Sequence, residues 1–535
     1  MANLTRNSLL PAIGLMLFMA LMGAVLYFFT EADVSWPGYI AMIFFYGLIF
    51  FMGAYAGSLR KEDNLSDMLL AGRSLPLWIA VFTMSATWLG GGFINGTAEY
   101  TADPAYGLIW VQAPWGYALS LILGGLFFAG PMRRYRFQTM LDPLQRRFGQ
   151  RMTGFLFLPA LFGELFWTAA ILTALGTTFG TILGLDTQTS IVLSAFVAIA
   201  YTAMGGLWAV ALTDIVQMIL LVVGLCLIAP AVLGVMGGWS EVWPAYRDQM
   251  GAAAYPWPNR AALGEYYWVW WDYALLLIMG GIPWQVYFQR VLAARDVPTA
   301  RRLSVIAGFV CLFAAVPAVL IGMTGAITDW KGMGLPEPAD YASILPHVIR
   351  YLTNPWLAAI GLGAVAAAVM SSVDSSILSA SSMTSWNIYR PFFNPNATEG
   401  VLFRVLRRSI WIIGIAALLL ALQVQSVYQL WFLCSDLVYC LLFPALVAAL
   451  FDPKANVIGV AAGFLVAAFI RFGGGEPTLG MAGFLPFPVL SDETVAWPFR
   501  TMAMASGLFT IFLVSRLSYK WFPPKSIEES FLSEQ

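Results

Sequence analysis

The feature that most constrains this chain is a series of fourteen apolar stretches, each long enough to cross a bilayer as a helix. A hydrocarbon core of about 30 Å is spanned by roughly 20 apolar residues. Only 11% of the 535 residues are charged and 60% are hydrophobic, too little charge to cover a water-facing surface. These proportions exclude a soluble enzyme and a disordered scaffold, and they predict an all-α polytopic membrane protein. The predicted spans, numbered one to fourteen, are 8–29, 37–57, 75–98, 107–129, 153–182, 189–203, 208–236, 266–288, 303–327, 353–388, 408–423, 428–450, 456–472 and 498–519.

The charged residues, the histidine and the cysteines exclude further classes of protein. The 28 Lys and Arg nearly cancel the 29 Asp and Glu, and no long basic stretch occurs, which argues against nucleic acid as a partner. A single histidine, His347, excludes a histidine-rich metal centre. All four cysteines lie inside apolar runs, which argues against a disulfide framework.

The basic residues divide unevenly between the two sides of the membrane. With an inner N-terminus and fourteen spans, 22 of the 28 Lys and Arg fall on the inner side and six on the outer side. Because cytoplasmic loops carry the excess of Lys and Arg, we expect a multi-pass protein of the cell membrane with both termini in the cytoplasm. Span one is expected to be a retained helix rather than a signal peptide, since its apolar run is long and no clear small-residue cleavage site follows.

Glycine and proline interrupt spans three and eight near mid-bilayer. These spans are five apart and enter the membrane from opposite sides, which is typical of a five-plus-five inverted repeat with a binding site at the breaks. An unwound segment frees backbone groups at membrane depth, and cations and substrate can satisfy them. Close helix packing through small residues is the alternative. The interrupting residues are Gly90, Gly91 and Gly92 in span three, and Gly280, Gly281 and Pro283 in span eight.

This pattern predicts an inverted-repeat core with flanking helices and about 13–14 transmembrane helices in total. No connection between spans is long enough for a nucleotide-binding module. Any transport against a concentration gradient therefore has to be driven by an ion gradient or a partner subunit. The expected units are an extra N-terminal transmembrane helix (1–35), a peripheral helix with an inner loop (36–74), the first repeat (75–236), an extracellular loop (237–265), the second repeat (266–450), two peripheral helices (451–519) and a cytoplasmic tail (520–535).

Span ten carries a carboxylate, Asp374, among seven serines between 371 and 382. Serines in a membrane helix commonly bond to their own turn or join helices, whereas an ionisable group in a span points to function. Hydroxyl and carbonyl oxygens are ligands that hard cations such as sodium prefer. Four other carboxylates fall in or beside apolar spans, and for these a structural hydrogen bond remains an equal alternative to ion coupling: Glu164, Asp214, Asp272 and Asp436.

Aromatic residues make up 15% of the chain, and most of them fit interfacial belts. Trp88, Tyr117 and Trp167 instead lie ten or more residues from their span ends, and Trp284 follows the second break. Rings around a central site suit a cation without hydrogen-bond donors, such as a quaternary ammonium, and core packing is the alternative. No Lys or Arg is expected inside the spans near the breaks, which favours a plain cation over a zwitterion such as betaine or proline.

Long motifs in this chain resemble the choline-transporting members of the sodium/solute symporter family, in order over residues 36–520. The resemblance implies a LeuT-like core and sodium-coupled import of choline by alternating access, with chloride as a possible further ion because the animal members depend on it. Segment 8–29 precedes the family's first helix. The motifs are WLGGGFINGTAEY, QAPWGYALSLILGGLFF, TMLDPLQRRFG, LPALFGELFWTAAILTALG, GGLWAVALTDIVQ, GGIPWQVYFQRVL, GLGAVAAAVMSSVDSSILSASSM and CSDLVY.

The resemblance also implies roles for individual residues. Asp374 matches a carboxylate beside the sodium serines, and Asp214 matches the family's signature aspartate; both are candidates for ion coupling. The implied sodium ligands are the hydroxyls of Ser371 and Ser372 with the carbonyls of Val81, Met84 and Ala368, and the implied aromatic cage is Trp88, Tyr117, Trp167 and Trp284.

Three other functions are weighed against choline import. Within transport, the substrate is another small quaternary amine, betaine or proline. An intramembrane enzyme needs a nucleophile and a base, but the only histidine lies in an outer loop. A channel does not require helix breaks at matching positions in spans three and eight. The expected partners are the lipid bilayer and a small-molecule substrate.

Overall fold

The fold is a bundle of helices that coincide with all fourteen predicted spans. The computed structural model describes residues 2–29, 33–58, 70–203, 207–424, 426–490 and 494–527. Within these ranges no strand forms, and the extended contacts are isolated bridges. The helices of spans one to seven are Ala2–Phe29, Trp36–Ser58, Leu77–Trp88 with Gly91–Ala102, Leu108–Arg134, Gln150–Leu183, Thr187–Thr202 and Leu207–Val235. Those of spans eight to fourteen are Tyr267–Gly280 with Gln285–Ala293, Val297–Ile327, Pro355–Phe393, Glu399–Ala421, Val427–Phe451, Val457–Gly473 and Phe499–Leu517.

Length and composition show which helices are able to cross a membrane. Within the described ranges, six unbroken helices meet both conditions, and the bent pair in span three makes a seventh. Spans ten and twelve are 83% buried over their most apolar stretch, against 39% for spans seven and nine. A helix that is apolar all round is buried or faces lipid. Spans ten and twelve therefore lie in the centre of the bundle, and spans seven and nine lie at its edge.

Both predicted breaks are present. Span three stops at Trp88 and restarts at Gly91 with a bend of 47°. Span eight stops at Gly280 and restarts at Gln285. Helix interruptions at membrane depth occur where protein rather than lipid surrounds the freed backbone, and the residues that flank these breaks are buried.

The inner ends of the two broken spans are joined to each other. A parallel bridge links Leu75, before span three, to Ala294, after span eight. The Leu75 amide donates to the Ala293 carbonyl at 3.1 Å, and the Arg295 amide donates to the Leu75 carbonyl at 3.2 Å. Arg133 Nε adds a bond of 2.7 Å to the Ala294 carbonyl. This side of the bundle is closed mainly through backbone groups.

The opposite side is closed by side chains. Ser426 Oγ donates to Glu99 Oε1 at 2.6 Å, and the Ala113 amide donates to the Tyr428 hydroxyl at 2.7 Å. Gln112 Nε2 donates to the Trp270 carbonyl at 3.0 Å. These contacts tie the outer half of span three and the start of span four to spans eight and twelve. The middle of the bundle is thus shielded from both sides.

Candidate functional site

The four aromatic residues singled out in the sequence meet at the centre of the bundle. The Trp88 ring centroid lies 5.2 Å from that of Tyr117, 5.8 Å from that of Trp167 and 5.9 Å from that of Trp284. Trp167 and Trp284 meet edge to face at 5.1 Å. None of the four is more than 2% exposed. The four rings predicted to form the cage are therefore in mutual contact in the interior of the bundle.

A fifth ring, Trp431, completes this group and was not foreseen. It lies 5.6 Å from Tyr117 and 6.4 Å from Trp167, edge to face with both. Trp431 is only a few residues inside span twelve, so sequence depth classes it with the interfacial belt. Its ring also fills the space beside Gly92, where an added Cβ would lie 2.0 Å from the indole. The aromatic cage is therefore Trp88, Tyr117, Trp167, Trp284 and Trp431.

The polar atoms of the cage differ in whether they have partners. Trp284 Nε1 donates to the Gly280 carbonyl at 2.6 Å, across the second break, and the Tyr117 hydroxyl bonds to Ser435 Oγ. Among the described residues, no acceptor faces the buried indole N–H groups of Trp88, Trp167 and Trp431. A buried donor without a partner is unfavourable. The cage thus offers aromatic faces and indole N–H donors without partners among the described residues.

Asp214 lies at the centre of a buried hydrogen-bond network below the first break. It is fully buried, accepts a bond of 2.5 Å from Ser371 Oγ at Oδ1 and accepts one from Thr83 Oγ1 at Oδ2. Arg290 Nη2 lies 3.7 Å from Oδ2, with both side chains inaccessible to solvent. Asp214 therefore connects spans three, seven, eight and ten through buried contacts.

Arg290 corrects the expectation that no Lys or Arg lies inside the spans near the breaks. The prediction ended span eight at 288 and counted Arg290 with the inner basic residues, but the second half-helix continues to Ala293 and buries it. Arg290 Nη2 also donates to Ser375 Oγ at 2.6 Å. A buried cation is tolerated when it is paired, and Asp214 supplies the counter-charge.

The residues expected to bind sodium lie on helices that pack together. Ser372 Oγ donates to the Thr87 carbonyl at 3.0 Å, which places span ten against the last turn before the first break. Ser371 is linked to Thr83 through Asp214. Met84 and Ala368 are buried in the same layer, and Val81 is half-buried. These contacts place Ser371 and Ser372 beside span three, and the sodium site itself stays a prediction.

Asp374 is buried but faces a different neighbour from the sodium serines. Its Oδ1 accepts a bond of 2.7 Å from Thr202 Oγ1 in span six. Within the part of the chain that the structure describes, its Oδ2 has no hydrogen-bond partner. The structure thus separates Asp374 from the direct partners of Ser371 and Ser372.

The remaining buried carboxylates have separate partners. Glu164 Oε1 accepts a bond of 2.6 Å from Ser379 Oγ, and Asp436 accepts bonds from Arg471 and Arg500. Asp272 accepts bonds from the amide and hydroxyl of Thr501. His347 lies in the short helix Ile344–Tyr351, where its Nε2 bonds to the Pro336 carbonyl at 2.8 Å.

We expect a Gly90→Ala substitution to destabilise the break strongly. An added Cβ would lie 1.7 Å from Ser372 Oγ and 2.4 Å from its Cβ, so the two helices have to separate. Overpacking of a tight core typically costs about 1–3 kcal/mol. The measurement is thermal unfolding of the purified protein. Gly234→Ala, where nothing lies within 4 Å of the added Cβ, is the control and should unfold at the wild-type temperature or higher; equal behaviour of the two variants would contradict the close approach.

The fold and the central site define a class, the LeuT-like secondary transporters with a five-plus-five repeat. The chain superposes on a Na+-coupled sialic acid symporter solved in a substrate-bound outward-open state, with a TM-score of 0.73 and 20% identity over 92% of this chain and 98% of that one. At this identity the likeness shows the fold alone, and it confirms the predicted fold class.

The sequence then identifies the family. Residues 68–467 match the sodium:solute symporter family, and the chain belongs to it. High affinity choline transporter 1 of Homo sapiens is 44% identical over 512 residues, which cover 91% of this chain and 87% of the human protein. High-affinity choline transporter 1 of Drosophila melanogaster is 44% identical over 494 residues, covering 90% and 78%. Family membership makes this protein a multi-pass membrane transporter coupled to sodium, and not an enzyme.

Proposed function

We propose that this protein imports choline together with sodium by alternating access. The observation that carries the proposal is the aromatic cage, five buried rings that meet between the two helix breaks. Two relatives at 44% identity are named as choline transporters, which supports the same substrate class.

The chemistry of the cage matches both ends of choline. A trimethylammonium group has no hydrogen-bond donor and is attracted to ring faces by about 0.5–2 kcal/mol per ring. The hydroxyl of choline supplies an acceptor for one of the indole N–H groups of Trp88, Trp167 and Trp431, which have no partner among the described residues. Tetramethylammonium has the same cationic head without that acceptor, so it should compete for the cage more weakly than choline does.

Buried charge near the breaks argues against betaine or proline as the substrate. A zwitterion brings a charged carboxylate, which requires a cation of its own to balance its charge when buried. Arg290 is the buried cation beside the second break, and it is engaged by Asp214 and Ser375. To bind a substrate carboxylate, Arg290 would have to leave Asp214 uncompensated at the centre of the membrane.

Sodium is proposed to bind between spans three and ten. The ligands are the hydroxyls of Ser371 and Ser372 with the carbonyls of Val81, Met84 and Ala368. Support comes from the contact of Ser372 with Thr87 and of Ser371 with Asp214, which place oxygen atoms next to the first break. In this role Asp214 orients Ser371 and adds negative charge to the site.

Asp374 is proposed to tune the ion site from its position against span six. Its second carboxylate oxygen, without a partner among the described residues, adds negative charge on the far side of span ten. We expect its removal to change the sodium concentration needed for uptake rather than the affinity of the cage.

Transport is proposed to follow from relative motion of the two repeats, 75–236 and 266–450. The hinges are Gly90, Gly91 and Gly92 in span three and Gly280, Gly281 and Pro283 in span eight. Sodium holds the broken span three in the shape that completes the cage. The inward state then requires separation of the contacts around Leu75 and Ala294.

Both termini are proposed to be cytoplasmic, in a protein of the cell membrane. The segments proposed to flank the core are 1–35, 36–74, 451–519 and 520–535, and the segment 237–265 is proposed to form an outer loop.

The membrane potential alone is sufficient to drive this reaction. One elementary charge that crosses a potential of 100 mV gains about 2.3 kcal/mol, so one sodium ion and one choline together gain about 4.6 kcal/mol. Since 1.4 kcal/mol corresponds to a tenfold concentration ratio, this energy supports accumulation of roughly a thousandfold.

The proposed function is tested by uptake of labelled choline into proteoliposomes. We expect concentrative uptake with sodium outside and a loss of more than tenfold when potassium replaces it. Replacement of chloride by gluconate in the same assay tests the proposed use of chloride. Unlabelled betaine and proline should compete poorly, because neither presents an isolated cation. Uptake that proceeds equally in potassium would refute sodium coupling, and stronger competition by proline than by choline would refute the substrate.

A further inference from the structure

Spans five and eleven each carry an exposed apolar stripe that runs from the inner end of the bundle toward its middle. The two helices pack against each other. Residues three and four apart in a helix share one face, and the exposed apolar side chains of both spans follow that spacing. An exposed apolar face on a membrane-spanning helix lies against lipid. The stripes consist of Phe155, Leu158 and Phe162 in span five, and Ile412, Ile415 and Leu419 in span eleven.

Arginines continue both stripes at the inner end. They precede the apolar residues on the same helix faces, and all of them are exposed. In span eleven, Trp411 lies between the arginines and the aliphatic side chains and is 39% exposed. Tryptophan is enriched where hydrocarbon meets the headgroups, so the arginines lie at headgroup depth. These four residues form the inner basic patch: Arg151, Arg404, Arg407 and Arg408.

The two stripes lie on one side of the bundle. Between them is the inner end of span ten, which packs against both spans five and eleven. Its Phe392 is 45% exposed, and its ring would lie 3.0 Å from a Cβ added at Gly154 of span five. The patch and both apolar stripes therefore form one continuous surface toward the membrane.

The guanidinium groups of the patch have few uses inside the protein. Arg404 Nε donates to the Gly400 carbonyl one turn earlier, at 3.4 Å, and the guanidinium carbon of Arg407 lies 4.7 Å from the Phe403 centroid. In the described part of the chain, no carboxylate pairs with any of the four arginines. Most of their hydrogen-bond donors are thus available to a ligand outside the protein.

Orientation in the membrane does not by itself explain this placement. An excess of basic residues on the inner side is general for multi-pass proteins, but it does not dictate where their side chains point. Arg133 and Arg516, also at inner ends of spans, bond to the Ala294 carbonyl and to Asp452. The segment 390–408 instead carries four arginines and one carboxylate, an excess of three positive charges. Such an excess at the membrane surface attracts anionic lipid.

We propose that the inner basic patch binds the headgroup of one anionic phospholipid, whose acyl chains lie along the apolar stripes of spans five and eleven. The planar donors of a guanidinium match the oxygens of a phosphate group. A free phosphate ion has nothing to place on the stripes, so a lipid is the ligand that fits the whole surface. This site goes beyond choline import and does not rest on it.

The test is native mass spectrometry of the purified full chain after removal of co-purified lipid. The probes are phosphatidylglycerol and phosphatidylcholine with identical acyl chains. We expect the first phosphatidylglycerol to bind about tenfold or more tightly than phosphatidylcholine. The variant Arg404→Gln/Arg407→Gln/Arg408→Gln should lose most of this preference and still bind choline as the wild type does. The variant Arg404→Lys/Arg407→Lys/Arg408→Lys keeps the charge and should keep most of the preference.

Two further variants separate the patch from a general effect of charge. Arg151→Gln, on the other helix, should lower the preference independently. Its matched control, Arg134→Gln/Arg136→Gln/Arg302→Gln, removes exposed inner arginines beside spans four and nine and should leave the preference unchanged.

Three results would overturn the proposal and leave choline import intact. The first is a wild type that binds both lipids equally. The second is an equal loss of preference in the control and in the patch variants, which would assign it to charge in general. The third is displacement of the bound lipid by an equal concentration of glycerol phosphate, which carries the anionic group without acyl chains and should not compete.

Discussion

Replacement of Trp88 by alanine is expected to weaken choline binding by roughly thirtyfold, equivalent to about 2 kcal/mol for a desolvated cation–π contact. Trp88 is the ring that touches three others, at 5.2 to 5.9 Å from Tyr117, Trp167 and Trp284. Its removal therefore takes away one face of the cage and the packing that orients the rest. The measurement is the dissociation constant for labelled choline on the purified protein.

Two variants separate binding from folding in this experiment. Trp88→Phe keeps an aromatic face with a weaker quadrupole and should lose less affinity than the alanine variant. Trp268→Ala removes a tryptophan that is 55% exposed at the outer end of span eight, and its affinity should match the wild type. An unchanged dissociation constant in Trp88→Ala, with folding intact, would remove this ring from the binding site.

Asp214→Asn is expected to lower the stability of the protein and to abolish sodium-driven uptake. The substitution leaves the Arg290 guanidinium buried without its counter-charge, and the loss of one partner of a buried pair costs about 3–5 kcal/mol. Ser371 also loses a charged acceptor. The loss of stability is measured by thermal unfolding, and coupling is measured by choline uptake as a function of sodium concentration.

The double variant Asp214→Asn/Arg290→Gln separates the two effects. Removal of both charges eliminates the uncompensated cation, so most of the lost stability should return, and glutamine is able to keep a bond to Ser375. Uptake should stay impaired because the charge beside Ser371 is still absent. If the two single substitutions simply add in unfolding free energy, the 3.7 Å contact contributes no coupling, and the network as described is wrong.

Much of the fold is predictable because the sequence patterns that specify it involve residues close to one another in the chain. Apolar stretches of bilayer length predict the spans, and three successive glycines predict where span three breaks. Gly90 illustrates why: only a residue without a Cβ fits against Ser372. Depth along a span also identified Trp88, Tyr117 and Trp167, since a ring far from both span ends has to lie inside the bundle.

The missed residues depend on tertiary contacts that no local pattern reveals. Trp431 lies near the end of span twelve by sequence, yet its ring reaches the cage because span twelve packs against span five and the outer half of span three. The sequence predicts Arg290 in a loop because it follows the predicted end of span eight. Its burial depends on an ion pair with Asp214, which is 76 residues earlier in the chain.

The junction between Leu75 and Ala294 restricts which substitutions can change how firmly this end of the bundle is held together. Its bonds are made by main-chain amides and carbonyls at Leu75, Ala293 and Arg295, which every amino acid except proline supplies equally. Substitution of these side chains therefore leaves the strength of this junction nearly constant. Differences in how firmly this end of the bundle is joined must therefore come from neighbouring side-chain contacts, such as that of Arg133 with Ala294.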